Sequence, residues 1–374
     1  MTEAIYRFAR PEDEGDILDL INLVFSQTAQ PHHFDALLPK VYAHGGYAPI
    51  HAVAQEEGRL RAAVGLLPLT LMTGGEKALT GGYIGSVSVH EKSRGRGHMK
   101  RLMQMQIEAA KKQGMAFLAL GGQRQRYGYW GFEPCGAAYT FSVLAANVRH
   151  GIAVAPAVIR EITSPDDPDL FAVKRLHESQ EQYFLRPRLY DTLRSYNARL
   201  FTVRRQAEGQ IVGYFTAMGD QITGLRLADP ADVPGVIRAW MEGKKSCTVF
   251  VPAADRALAQ ALGDFAEGCQ TGDAFLMKVL DWPRMLEAYL PLAAGAGLPR
   301  GGRVFEITGA GRWRVEFGPD ACSVAPTDAP ADDVLTERQA VTFFFSPRTA
   351  LYQRDALLRC WLPLPIKIPV ADQF

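Results

Sequence analysis

The run Val87-Ser-Val-His-Glu-Lys-Ser-Arg94-Gly-Arg-Gly-His-Met99 joins an apolar strand ending at Val89 to a helix opening near Gly97. Gly95 and Gly97 remove the Cβ atoms that keep an anion away from the main chain, and both tolerate φ > 0. The first turn of the following helix offers unpaired N–H groups and the positive end of its dipole. Arg94 and Arg96 add charge, and Lys100 and Arg101 follow within one turn. The pattern predicts a cradle for a pyrophosphate, although a basic surface turn has the same spacing. Two better-known phosphate loops are excluded. No G-x-x-x-x-G-K-[ST] string exists, and Lys100 stands where the third glycine of G-x-G-x-x-G belongs. The Gly295-Ala-Gly297 stretch has no clear strand leading into it.

Composition narrows the class. At 374 residues the chain has room for two or three domains. Its 47% apolar and 22% charged residues are those of a soluble globular protein. With 41 basic against 40 acidic side chains, bulk charge argues against nucleic acid as a partner. No apolar run approaches the ~18 residues of a membrane span, so no membrane is expected. The start, Met-Thr-Glu-Ala, has no basic-then-apolar signal and reads as untargeted. Five scattered cysteines without a C-x-x-C pair indicate reduced thiols in a cytoplasm. The adjacent His32–His33 pair cannot chelate alone, and no metal site is expected.

Periodicity organises the first 145 residues as alternating strand and helix. Ile17, Leu18, Ile21, Val24 and Phe25 form the stripe of a first helix. Residues 26–49 read as a loop with a short helix. His51–Gln55 and Leu60–Met72 flank Glu56-Glu57-Gly58, a hairpin signal. Tyr83–Val89 is the next strand. Met99, Leu102, Met103, Ile107 and Ala110 give the following helix one apolar face. Met115–Leu120 is a continuous apolar run, as in a strand buried on both sides. The hairpin pattern of Ile50–Arg61 is echoed weakly by Phe201–Val212, with Glu208-Gly209 falling where Glu57-Gly58 does. After about residue 286 come a glycine-rich connection and strands at Val304–Ile307, Trp313–Phe317 and Cys322–Ala325. Ala329–Thr336 and Ala350–Cys360 are expected to be helical or turn segments. Pro363, Pro365 and Pro369 hold the last segment extended.

The loop resembles that of the GNAT superfamily of acyl-CoA-dependent N-acetyltransferases, [RQ]-x-x-G-x-[GA] after a strand ending V-x-V. Arg94 and Gly97 match, and Met99 departs in the manner of the Eis-type (enhanced intracellular survival) aminoglycoside acetyltransferases. Ile5-Tyr-Arg-Phe-Ala-Arg10-Pro-Glu-Asp-Glu resembles the first strand and helix entry of such a domain. Tyr127-Gly-Tyr-Trp-Gly131-Phe132 resembles its Y-x-x-x-G-F signature. The resemblance covers residues 1 to about 145. It implies an α/β fold with mixed sheets in three parts: a GNAT domain at 1–150, a degenerate GNAT-like domain without its own cradle at 151–285, and a sterol-carrier-protein-like domain at 286–374. It also implies acetyl-CoA as co-substrate and a homo-oligomer, trimeric or hexameric.

Acetyl transfer to an amine needs a neutral amine, a polarised thioester carbonyl and a proton for the departing thiolate, whose pKa as a free thiol is about 8.5. By resemblance, Tyr127 is the acid, and Tyr129 points elsewhere. The strand Val87, Ser88, Val89 would hold the acetyl group through its backbone, and Arg94, Gly95, Arg96, Gly97, His98 and Met99 the pyrophosphate. Eis-type enzymes are thought to use the carboxylate of the chain's last residue as base, here Phe374. With a reference pKa of about 3.5 it would act through positioning or a water chain. Glu91, Glu133 and His90 are rivals. Phe25, His32, His33, Phe34 and Tyr42 are expected to overhang an acceptor cleft. Asp35 is the one acid in that loop, which argues against a polycationic acceptor. The expected reaction is acetylation of a small-molecule primary amine by direct attack on the thioester. A non-catalytic acyl-CoA or lipid-binding scaffold and a protein-lysine acetyltransferase are the alternatives.

Overall fold

The computed structural model describes residues 4–27, 31–73, 77–207, 209–295, 297–318, 322–353 and 355–374. Thirteen strands build one sheet: β1 (Ile5–Phe8), β2 (His51–Glu56), β3 (Arg59–Thr73), β4 (Lys77–Val89), β5 (Phe117–Leu120), β6 (Glu133–Leu144), β7 (Val158–Ile162), β8 (Gln182–Phe184), β9 (Arg199–Arg204), β10 (Ile211–Met218), β11 (Gln221–Leu227), β12 (Ser246–Pro252) and β13 (Gly268–Val279). Their order is β1-β2-β3-β4-β5-β13-β6-β12-β11-β10-β9-β7, with β8 paired to β3. Only β4–β5 and β11–β12 run parallel in this sheet.

This order reads nearly the same from either end. Each half runs through four antiparallel strands to a parallel fifth. The last strand of each half then crosses over: β13 lies against β5, and β6 lies against β12. The two crossed strands pair with each other over nine positions. A cut at residue 150 therefore divides the chain without dividing the sheet. A second sheet, ordered β16-β15-β14-β17, is formed by β14 (Gly301–Thr308), β15 (Gly311–Phe317), β16 (Ser323–Pro326) and β17 (Asp333–Thr336).

The mixed α/β class expected from the sequence is the one adopted. β5 shows why its run is apolar throughout: Phe117 and Ala119 enter the core on one face, Leu118 and Leu120 the core on the other. One face is covered by α1 (Glu14–Ser26) and the short helices α2 (Phe34–Leu37) and α3 (Pro39–Tyr42). The other is covered by α4 (His98–Lys112), which buries Leu102, Met103, Ile107 and Ala110. A short helix α5 (Arg124–Tyr127) follows β5.

Three local expectations are corrected. Residues 26–49, expected as a loop with a short helix, hold two short helices, α2 and α3, and Phe34 and Tyr42 are core residues instead of a rim. Asp333–Thr336, expected as helix or turn, is a strand parallel to β14, because Val304–Ile307 leaves an edge open to it. β4 begins at Lys77 instead of Tyr83, since it pairs with β3 back to Thr73. The echo at Phe201–Val212 is an antiparallel β9–β10 hairpin; Glu208 lies outside the described residues. Among the described residues no helix is long and apolar enough to cross a membrane.

Candidate active site

β4 loses its partner on one side before it ends. Its pairing with β5 covers only Gly81 to Ile84, so among the described residues no strand lies against the β5-facing edge of Gly85–Val89. On the β3 side, Ala63 faces Ser88 and Gly65 faces Gly85, which leaves Ser86 and Val87 opposite the single residue Val64. This is a β-bulge. Ser86 has φ +51°, a region that costs a non-glycine residue roughly 1–2 kcal/mol.

Neighbouring groups hold that strained residue. The Tyr42 hydroxyl lies 2.7 Å from Ser86 Oγ and 3.0 Å from His51 Nε2. His51 Nδ1 donates to the Tyr47 carbonyl at 2.7 Å. Burial pushes His51 down to about 4, against the pull of that carbonyl, so the ring is neutral near pH 7. Gln106 of α4 donates to the carbonyl of Val64, opposite the bulge, at 2.7 Å. The bulge also resets the facing of β4. Ile84, Val87 and Val89 all pack toward α4, although offsets of three and five would alternate faces in a regular strand.

Phe374 occupies the opposite face beside the bulge. Its ring is buried with centroids 6.1 Å from Tyr42 and 6.2 Å from His51. Two glycines make the room. A Cβ on Gly65 would stand 2.5 Å from Phe374 Cε1, and one on Gly85 2.5 Å from the Phe374 main-chain carboxyl carbon. The carboxyl group therefore lies against β4 where its edge opens.

The Arg/Gly loop lies beyond the end of β4. Gly95 and Gly97 have φ +79° and +82°, with Gly97 as N-cap of α4. Open space surrounds the Cβ that either would carry, so glycine is required there by backbone conformation and not by packing. Glu56 braces the loop from below. It accepts from Ser93 Oγ at 2.8 Å and from Arg96 Nη1 at 3.1 Å, and lies 3.2 Å from His98 Nε2. The Ser93 hydrogen bond and the Arg96 pair hold its carboxyl below the usual range against the effect of burial. Arg94 donates to Gln27 at 3.0 Å and is exposed.

His98 differs from its sequence assignment at the level of the side chain. The ring is buried, with Nδ1 3.0 Å from Tyr6 Oη, because it packs α4 onto β1 and β2. Only its main-chain N–H is left for an anion. Met99 packs on the α4 core.

Tyr127 ends α5 and is buried in the α4-side core, whereas Tyr129 is 65% exposed beside Lys100. Burial raises the Tyr127 phenol, with Arg126 opposing, so it stays protonated, as an acid must before it acts. Phe132 is fully buried. The rival bases are placed otherwise. Glu133 is buried with its two oxygens taken by Arg124 at 2.7 Å and Arg338 at 2.5 Å. Glu91 is exposed on the loop, and His90 accepts from the Lys92 N–H at 3.2 Å. Among the described residues no cluster of His, Cys, Asp and Glu is built to hold a metal ion.

Residues 5–135 match the family described as "Acetyltransferase (GNAT) domain". No curated protein matches the chain. Solved structures share its fold from end to end. A GCN5-related N-acetyltransferase from Anabaena variabilis superposes with TM-score 0.71 at 15% identity over 100% of both chains. One from Kribbella flavida gives 0.70 at 16%, over 100% of this chain and 99% of that one. Eis1 from Mycobacterium abscessus gives 0.67 at 13%, over 99% of this chain and 100% of that one. At these identities the likeness is one of fold. Residues 5–135 thus match a GNAT acetyltransferase domain, and the chain as a whole shares the fold of these three proteins.

Sequence reasoning missed Gly65, Gly85, Ser86, His51 and Glu56. The glycines of Gly81-Gly82-Tyr83-Ile84-Gly85, unusual inside a strand, were the available signal of a close approach.

The loop geometry yields a direct test. Valine at position 97 cannot hold φ +82° without strain of roughly 1–2 kcal/mol, and relaxing it turns N–H groups away from the cradle. Calorimetry on Gly97→Val should give acetyl-CoA binding weakened by about 10-fold, with the circular dichroism spectrum unchanged. Equal affinity would show that this loop does not bind the co-substrate.

Proposed function

We propose that the chain is an acetyl-CoA-dependent N-acetyltransferase acting on a primary amine of a small molecule by direct attack on the thioester. The observation that carries this reading is the juxtaposition at β4. The Phe374 carboxyl group lies on one face beside the opened edge, and Tyr127 belongs to the core on the other. The amine nitrogen adds to the thioester carbon before the C–S bond breaks, so the base that takes the amine proton and the acid that protonates the sulfur must stand at different places around that carbon.

The residues present fit the co-substrate. Residues Gly95 to Met99 lead into the start of α4, two of them glycines in the left-handed region, and a helix N-terminus of this kind suits an anion. Bound acetyl-CoA supplies the thioester carbonyl and the thiolate leaving group. The main chain of Val87, Ser88 and Val89 offers hydrogen bonds to that carbonyl along the edge that β5 leaves free. Tyr127 gives its phenolic proton to the departing sulfur. The Phe374 carboxylate takes the proton of the amine, directly or through one water, and the neighbouring ring fixes where it sits. Glu133 and Glu91 are poorer bases, the first because both oxygens are engaged by guanidinium groups and the second because it lies on the exposed loop.

The tandem reading gains support from the strand order, in which each half repeats four antiparallel strands and a parallel fifth. The second half lacks an Arg-Gly-x-Gly loop and is proposed as a degenerate copy whose work is structural. Residues 286–374 are proposed as the sterol-carrier-like part that delivers Phe374. The five free cysteines fit a cytoplasmic setting.

Tyr127→Phe should lower kcat by about 10²-fold, the scale of a lost general acid, with acetyl-CoA affinity nearly unchanged. Tyr129→Phe should leave kcat close to the parent value; the reverse ranking would move the acid to Tyr129. A chain ending at Phe374 should lose turnover by about 10²-fold when Gly-Ser is appended, since ~1 Å of misplacement already has effects of that size. Full activity in the extended chain, assayed with a panel of amines, would discard the carboxylate as base.

A further inference from the structure

We infer that Lys40 and Arg186 form a clamp that positions the Phe374 carboxylate, holding the tail at residues 371–373 from two separate parts of the fold. The inference rests on the reading of that carboxylate as proton acceptor. A segment without regular pairing is ordered only where specific contacts offset the entropy of fixing it. Here the last residues are tied at consecutive positions. The Lys40 ammonium of α3 donates to the Ala371 carbonyl at 2.6 Å and to the Gln373 carbonyl at 2.5 Å. Between them, the Asp372 carboxylate receives Arg186 as a two-pronged pair, Nε to Oδ1 at 2.9 Å and Nη2 to Oδ2 at 2.7 Å. Both side chains of that pair are only 4% exposed.

The last anchored carbonyl belongs to Gln373, so a single residue separates the clamp from the carboxylate. That residue's ring is in turn wedged against Gly65 and Gly85. Earlier in the tail, Gln182 donates to the Pro365 carbonyl at 2.8 Å and Lys367 pairs with Asp255 at 2.7 Å, and Ile366 and Ile368 are buried.

The chemistry of the clamp favours position over stability. A buried ion pair adds little compared with apolar packing of the same volume, but it admits one geometry. Burial alone would raise Asp372, yet the charge and hydrogen bonds of Arg186 keep it ionised. Burial brings Lys40 down to about 7, an unfavourable setting for an ammonium whose two contacts here are tail carbonyls. Neither cation touches the opened edge of β4, so each acts through the tail. They are positioning residues, not catalytic ones.

The test uses Lys40→Met, which keeps the stem and removes both hydrogen bonds, with Asp372→Asn as second variant. Folding is checked by circular dichroism and acetyl-CoA affinity by calorimetry. Tail docking is read independently of turnover, as the rate at which carboxypeptidase releases Phe374, followed by mass spectrometry. The clamp predicts release at least about 10-fold faster, kcat lower by about 10-fold, and KM for acetyl-CoA within about twofold. In the chain extended by Gly-Ser, Lys40→Met should lower kcat no further, because the group it positions is already displaced. Parent-like release of Phe374, or parent-like kcat with faster release, would overturn the clamp. If the extended chain alone keeps full turnover, the carboxylate reading is what fails, and the release rate still judges whether Lys40 holds the tail.

Discussion

The site depends on one extra residue in β4. The bulge at Ser86–Val87 interrupts the regular ladder with β3, resets the facing of Val87 and Val89, and follows closely on the point where β5 stops pairing. A regular strand would pair on both edges and leave no backbone group for a ligand. The strain at Ser86 persists because Tyr42, His51 and the Tyr47 carbonyl over-determine its position. Gln106 of α4 reaches the Val64 carbonyl opposite the bulge, adding a polar tie to the apolar packing of Val87 and Val89 against the same helix.

Charge is placed with comparable economy. Glu56 is an anion set beneath the Arg/Gly loop. By engaging Ser93, Arg96 and His98 it fixes the loop without facing its mouth. The N–H groups at the start of α4 and the exposed Arg94, Lys100 and Arg101 are then among the outward positive features. On the opposite face, Lys40 and Arg186 balance Asp372. Two polar assemblies thus brace the surroundings of β4, one under the Arg/Gly loop and one around the tail.

Local pattern revealed the loop and the α4 stripe, because each rests on residues within a few turns of one another. The inward turn of His98 was not legible: it follows from Tyr6 and Glu56, 92 and 42 residues away, which pattern cannot bring together. Lys40 and Arg186 gave no signal at all, since their partners lie 333 and 186 residues downstream. The strand exchange of β6 and β13 was hidden for the same reason. A strand's apolar alternation records that it has a buried face, not which strand lies beside it.

In the proposed site, co-substrate, acid and base gather around the opened edge of β4. A crystal structure with bound CoA tests this arrangement. The pyrophosphate should lie on the N–H groups of Gly95–Met99 and the thiol along Val87–Val89, within about 2.6–3.2 Å of Tyr127 Oη or one water from it. The Phe374 carboxylate should lie across the sheet. CoA bound away from the Arg/Gly loop, or with its sulfur out of reach of Tyr127, would contradict it.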